Sequence, residues 1–392
     1  MLFSFAMIIL VGVVFAMIMR KLGLPNLLGY LLAGIILGPF VFNVIDTTTF
    51  QISSDIRQIA LMIILMRAGL NLQISDLKKV GPSALLMCFV PASFEIIGLM
   101  ILAPIFLHLD LLNAAILGTV LAAVSPAVVV PLMLKLMDEG YGTREGIPQL
   151  IMAGASMDDV YVIVLFTSLL TLAKSGEFNA LSLLRIPTSI LFGIVFGIVL
   201  GYVLCKLYRL LKLSTEIELA CMFAVGMALI TIERMMTGAV GFSGLLAIMA
   251  MTSSVRHIKP EMADKYSAVL AKLWQSAEIF LFALVGASVR IDYAVSFGPV
   301  VLIVIILALL FRMLGVYLSV MKTKFNMKEK IFTMIAYIPK ATVQAAIGGL
   351  ALEAGLASGE LILTAAVTAI LFTAPLGAIF ISFTYRNFLQ KA

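Results

Sequence analysis

Apolar runs too long for the interior of a soluble domain decide what this chain can fold into. Thirteen segments, at about 2–19, 25–43, 56–73, 82–107, 111–136, 147–173, 183–211, 216–235, 239–255, 273–291, 297–320, 330–352 and 361–384, are predominantly apolar and long enough to span a bilayer. A backbone N–H or C=O in hydrocarbon finds no water, so each run must satisfy its own polar groups as a helix. Of the 392 residues, 62% are hydrophobic and only 12% charged, against roughly 25% charged in a soluble domain. The expected fold class is an all-α polytopic membrane protein of about 13 transmembrane helices. Polar stretches are short, so neither a separate soluble domain nor a cytosolic regulatory tail is expected. The first run has no basic residue before it and no small-residue cleavage site, which reads as a retained span and not a signal peptide. The connection 256–272, with Arg256, Lys259, Glu261, Asp264, Lys265 and Lys272, reads as an interfacial helix.

Basic residues set the orientation. Of 27 lysines and arginines, nineteen fall in loops after odd-numbered spans or at the C-terminus. Five (Arg57, Lys174, Arg185, Arg234 and Arg290) lie on the opposite side, and Arg67, Arg312 and Lys340 lie inside spans. That skew predicts an N-terminus outside and a C-terminus in the cytoplasm, in a prokaryotic inner (plasma) membrane. The net charge of +6 is spread over loops, so no nucleic-acid partner is expected. A second regularity is the order of features. Span 4 holds Glu95, span 5 is interrupted at Ser125-Pro126, and span 6 carries Asp158-Asp159. About 215 residues on, span 11 holds Arg312, span 12 is interrupted at Pro339-Lys340, and span 13 follows. An odd number of spans separates the two sets, so they insert oppositely. Inverted-topology repeats with a broken helix in each half point to a midplane substrate site.

The most informative stretch is Gly154-Ala155-Ser156-Met157-Asp158-Asp159, inside the apolar run 147–173. An aspartate at a span centre costs roughly 2.5–3.5 kcal/mol to insert and needs a partner or a task. Neighbours on a helix project about 100° apart, so the two carboxylates cannot face one partner. Ser156 shares a face with Asp159. One carboxylate can line a cavity with Ser156 while the other meets a neighbouring span. Two close carboxylates do not ionise independently, so protonation is coupled to any cation present. Hydroxyls, freed carbonyls and the two carboxylates supply the oxygens a hard monovalent cation wants. The reading places ion binding and proton coupling at Asp159 and Asp158, with Ser156 and Ser125, and a monovalent metal cation on the two carboxylates; the resemblance described below implies that this cation is Na+.

Glu95 and Arg312, of opposite charge at similar depth, are expected to form a structural ion pair. A guanidinium does not deprotonate, so Arg312 cannot hand over a proton. Pro126, Pro131 and Pro339 remove backbone donors from spans 5 and 12. Lys340 is expected to offset the negative C-terminal ends of the half-helices so exposed. Arg67 lies near the cytoplasmic end of span 3, where it can snorkel. Cys88, Cys205 and Cys221 lack metal-ligand spacing and read as small core residues, and His108 and His257 receive no role. Gly193, Gly197 and Gly201 form a small-residue face for helix packing, and Gly29, Gly34 and Gly38 another, suited to a dimer contact.

These residues bring the chain to a family. It resembles monovalent cation:proton antiporters of the cation:proton antiporter-2 group, and within them NHA-type sodium/proton exchangers. The matching stretches are Gly146-Ile147-Pro148 with Gly154 through Asp159, Lys272-Leu273-Trp274 through Leu284-Val285-Gly286-Ala287, Lys328-Glu329-Lys330, and Pro339-Lys340-Ala341-Thr342-Val343-Gln344-Ala345-Ala346, together with Arg67-Ala68-Gly69-Leu70. The resemblance implies the sodium/proton antiporter fold with two crossed, broken helices. It implies transport-domain helices 4–6 (82–173) and 11–13 (293–392), scaffold and dimer helices 1–3 (1–81) and 8–10 (213–292), and a linker helix (174–212). It also implies a homodimer in lipid, an elevator motion, Asp159 as the ion-binding aspartate, and exchange of Na+ or Li+ for H+ in pH homeostasis. No cofactor beyond the transported ions is implied, and no enzyme activity. Relatives with an Asp pair often carry a lysine in span 11; Arg312 there predicts exchange closer to electroneutral.

Other readings weigh less. An intramembrane aspartyl protease needs carboxylates facing each other across one bond, which adjacent positions do not give. A channel would show a filter-like loop. A potassium/proton antiporter of the same fold, or a sodium-coupled organic-anion transporter, fits the same features, and cation competition and substrate uptake discriminate them.

Overall fold

A computed structural model describes residues 1–71, 82–175, 185–211, 213–235 and 241–391; the side chains of Ser156, Ser175, Arg185, Ile186, Pro187 and Arg234 lie outside that description. In chain order the helices are α1 (Leu2–Lys21), α2 (Asn26–Leu37), α3 (Thr47–Gln51), α4 (Ser53–Asn71), α5 (Pro82–Met87), α6 (Val90–Leu107), α7 (Leu111–Ala122), α8 (Pro126–Asp138) and α9 (Ile147–Ser175). They continue as α10 (Arg185–Leu211), α11 (Thr215–Met235), α12 (Gly244–Ile258), α13 (Pro260–Ala287), α14 (Ile291–Val320), α15 (Met327–Ala336), α16 (Thr342–Ile347), α17 (Leu350–Glu353) and α18 (Gly359–Phe388). The all-α membrane fold is as expected. Nine helices among the described residues are long and apolar enough to cross a bilayer. Four expected spans fall outside that set, so helix length does not by itself give thirteen crossings. The interfacial helix expected at 256–272 is not separate: residues from Pro260 run unbroken into span 10 as the 28-residue α13. Proline opens that helix, where its missing N–H costs nothing, and no helix breaker follows before Gly286.

The chain divides into two compact units, with divisions inside α4, α9 and α13 and one between Gln73 and Ile74. The first comprises Met1–Ser54, Ile74–Ile163 and Ile279–Ala392. Within it α6 and α14 pack closely because each supplies a glycine at the contact. A Cβ on Gly98 would meet the Phe311 ring at 2.6 Å, and one on Gly315 would meet the Pro91 backbone at 2.8 Å. These two contacts bracket Glu95 and Arg312. In α2, Gly29 rests on the backbone of Ala16, Gly34 on that of Ala283 and Gly38 on that of Ala287. This small-residue face is therefore occupied within the chain, and the dimer contact expected of it is not available there.

The second unit comprises Asp55–Gln73 and Val164–Glu278. Its main packing is α10 against α12. Gly193 lies against Ser243, Gly197 against Ala247 and Ala250, and Gly201 against Met251 and Ser254. The four-residue glycine spacing thus does what the sequence predicts. Also in this unit, Glu218 is 3% exposed. Its backbone carbonyl accepts from the Tyr208 hydroxyl at 2.7 Å, and its carboxylate accepts from the Tyr266 hydroxyl.

Candidate functional site

Both interruptions form where proline removes a backbone donor. The span-5 run breaks between α7 and α8, with Ala123 and Ser125 extended and Pro126 at the first position of α8. The span-12 run breaks between α15 and α16, around Ile338-Pro339-Lys340-Ala341. The breaks meet: the Ser125 N–H donates to the Pro339 carbonyl at 2.8 Å. Pro339 itself packs on Gly377 of α18, where any Cβ would collide with its ring.

A break leaves orphan carbonyls and N–H groups, and buried ones must be paired. The side chains singled out in the sequence do much of that pairing. At the end of α7, the Leu121 carbonyl accepts from Lys340 Nζ at 2.5 Å, Ala122 from Arg312, and Ala123 from Gln344 Nε2 at 2.9 Å. The freed N–H of Val124 donates to Asp158 Oδ2 at 2.9 Å. In the other break, the Tyr337 carbonyl accepts from Arg312 Nε at 2.9 Å, and the Lys340 N–H donates to Thr373 Oγ1 at 3.0 Å. Lys340 therefore meets a helix C-terminus, as expected from the dipole argument.

The charges form one buried network. Arg312 donates to Glu95 Oε2 at 2.9 Å and to Asp158 Oδ2 at 2.6 Å. Lys340 Nζ lies 2.8 and 2.7 Å from the two oxygens of Glu95. All of these residues are at most 1% exposed. The expected Glu95–Arg312 pair is present, but it is not separate from the Asp pair, because the guanidinium fork reaches across to Asp158. Asp159, one residue on and 6% exposed, makes no hydrogen bond or ion pair with a described residue. Its Oδ1 and that of Asp158 are buried without partners. Ser125, fully buried, brings its hydroxyl to 3.5 Å from Thr342 Oγ1. Ser156 lies in α9, but its side chain falls outside the described residues.

Among these groups are three carboxylates, Glu95, Asp158 and Asp159, and two basic side chains, Arg312 and Lys340. Fully ionised, the cluster is one positive charge short. In a site closed to water a net charge is costly, so one monovalent cation or one proton completes it. The described residues contain no cluster of three or more His, Cys, Asp or Glu side chains that would hold a resident metal.

Sequence reasoning passed over several participants. Tyr337 and Gln344 carry no charge and so raise no insertion cost that would draw notice; Tyr337 lies under the Arg312 guanidinium at 5.3 Å. In the second unit, Arg67 does not simply snorkel. It faces Glu278 of α13, with its Nε buried and without a hydrogen-bond partner. Glu278 was legible as an acidic residue inside span 10.

Residues 6–386 match the family profile described as "Sodium/hydrogen exchanger, transmembrane". The sodium/hydrogen exchanger 9B2 of Homo sapiens is 35% identical over 385 residues, covering 94% of this chain and 70% of the relative. The sodium/hydrogen exchanger 9B1 of Homo sapiens is 34% identical over 371 residues, covering 91% and 71%. Among solved structures, the sodium proton antiporter MjNhaP1 from Methanocaldococcus jannaschii at pH 8 superimposes with a TM-score of 0.83 over 98% of this chain and 97% of that one, at 21% identity, which bears on the fold alone. With that fold, a family match over nearly its whole length and relatives above 30% identity, the chain is an integral membrane protein that belongs to the sodium/hydrogen exchanger family.

Proposed function

We propose that the protein exchanges Na+ or Li+ for H+, with Asp159 as the carboxylate for which the two compete. The observation that carries this reading is the charge deficit of one beside a carboxylate with no partner among the described residues. Arg312 and Lys340 are engaged with Glu95, Asp158 and the helix ends, and neither forms an ion pair with Asp159. A proton satisfies the deficit in one state and a monovalent cation in the other, and the two exclude each other. Asp158, held by Arg312 and Val124, still offers Oδ1 to the same ion, and Ser156 and Ser125 complete the proposed oxygen set. One cation for one proton leaves the net charge of the loaded site unchanged. The reading is therefore of electroneutral exchange.

An elevator motion moves helices 4–6 and 11–13, residues 82–173 and 293–392, as the transport domain. Residues 1–81 and 213–292 form the scaffold, 174–212 links them, and two copies pair through the scaffold. The basic-residue skew supports an N-terminus outside and a C-terminus in the cytoplasm of a cell membrane. The two sequence relatives named above are human and lend no support to a prokaryotic source.

The test is exchange in proteoliposomes with Na+, Li+ and K+ in parallel. Sodium or lithium gradients should drive opposite proton movement, and Asp159→Asn should abolish it. Undiminished exchange in that variant would falsify the assignment. Potassium driving protons as well as sodium does would favour the potassium/proton reading.

A further inference from the structure

One more oxygen belongs to this site. Tyr337 ends the first half of the second broken helix and is 1% exposed, yet its hydroxyl has no hydrogen-bond partner among the described residues. A buried hydroxyl left unpaired is costly and calls for an explanation such as a water or an ion. The residue is held firmly. Its carbonyl accepts from Arg312 Nε at 2.9 Å, its N–H donates to the Met334 carbonyl at 3.2 Å, and the Arg312 guanidinium covers its ring. The hydroxyl lies against Gly154 so closely that a Cβ there would collide with it. Gly154 is one turn before Asp158 and on the same face of α9. The phenol therefore occupies the aspartate face of α9, within the field of Asp158 and Asp159. Both of those carboxylates have an Oδ1 that is also buried and unpaired.

We propose that the Tyr337 hydroxyl is a ligand of the transported cation and sets the cation affinity of the site. This rests on the reading of Asp158 and Asp159 as the exchange site. A phenol both donates and accepts. With the cation absent, the hydroxyl is unpaired among the described residues. With the cation present, the O–H turns away and a lone pair faces the ion. The lone pair is offered without moving the ring, which Arg312 fixes. Gly154 in the Gly154–Asp159 stretch is what admits it: no larger residue leaves room for the hydroxyl.

Tyr337→Phe tests this, because it removes one oxygen and keeps the ring. Removing an unpaired hydroxyl should leave the sodium-free melting midpoint unchanged or raised. The rise in midpoint on adding NaCl should shrink, and the apparent KM for Na+ in proteoliposomes should increase roughly tenfold at little change in maximal rate. The ratio of Li+ to Na+ affinity should shift as well. An unchanged KM with an unchanged sodium-induced midpoint rise overturns the assignment. So does a lowered sodium-free midpoint with KM intact, which marks a packing role. Asp159→Asn, measured alongside, separates the two levels. If that variant is inactive while Tyr337→Phe binds Na+ normally, only the ligand assignment fails; if it still exchanges, the underlying site reading fails.

Discussion

Replacing Arg312 with glutamine probes the buried network where it is most heavily loaded. The guanidinium makes four links: Glu95 Oε2, Asp158 Oδ2, the Tyr337 carbonyl and the Ala122 carbonyl. Glu95 keeps Lys340 at 2.7 and 2.8 Å, so its loss is partly covered. Asp158 keeps only the Val124 N–H. Breaking a fully buried pair by removing one partner costs about 3–5 kcal/mol, and each orphaned buried carbonyl adds about 1–3 kcal/mol. Glutamine can serve one carbonyl, so a total of about 5 kcal/mol is expected, comparable with the whole stability of many domains. The assay is the melting midpoint of the purified protein in detergent, which should fall by roughly 6 °C. The decisive comparison is a double-mutant cycle. Asp158→Asn on the Arg312→Gln background removes the stranded charge, so the double variant should fall short of additivity by about 2–3 kcal/mol. Glu95→Gln on the same background should show a smaller coupling, because Lys340 has already compensated Glu95. Additive effects at Asp158, or a larger coupling at Glu95, would refute the account of how the charges are shared.

Further outcomes follow from the same geometry. An imposed membrane potential should leave exchange nearly unchanged, since one cation replaces one proton; strong driving by potential in matched proteoliposomes would sink the electroneutral reading. Gly98→Leu should push α6 off Phe311 and pull Glu95 away from Arg312, costing about 1–3 kcal/mol through overpacking; a midpoint equal to wild type would show that the close contact is not needed. Gly197→Leu, which strikes Ala250 at the α10·α12 contact, should destabilise to a similar degree. Its loss should appear in the melting midpoint, with the apparent KM for Na+ nearly unchanged.

Much of this was legible because burial of charge and loss of backbone donors leave marks in a sequence. The apolar runs gave nine of the thirteen expected spans, Pro126 and Pro339 gave the interruptions, and Glu95 and Arg312 at matching depth gave their pair. What the sequence could not give was helix phase in absolute terms. Adjacent positions had to project 100° apart, but nothing said which aspartate would turn toward Arg312. Asp158 does, and that drew the pair and the aspartates into one network. Gln344 and Tyr337 escaped notice because neutral polar groups raise little cost at insertion. Gly98 and Gly315 look like any membrane-helix glycine until Phe311 and Pro91 are seen against them. The 256–272 connection misled because its charges resemble an interfacial segment, whereas a helix free of breakers simply continues through them.

The central claim is that one cation and one proton compete for Asp159. Adding NaCl to the purified protein in weakly buffered solution, and measuring the pH change with choline chloride as control, tests it most directly. The account predicts release of about one proton per bound sodium from the wild type and none from Asp159→Asn. Sodium binding without proton release, or equal release from the variant, would contradict it.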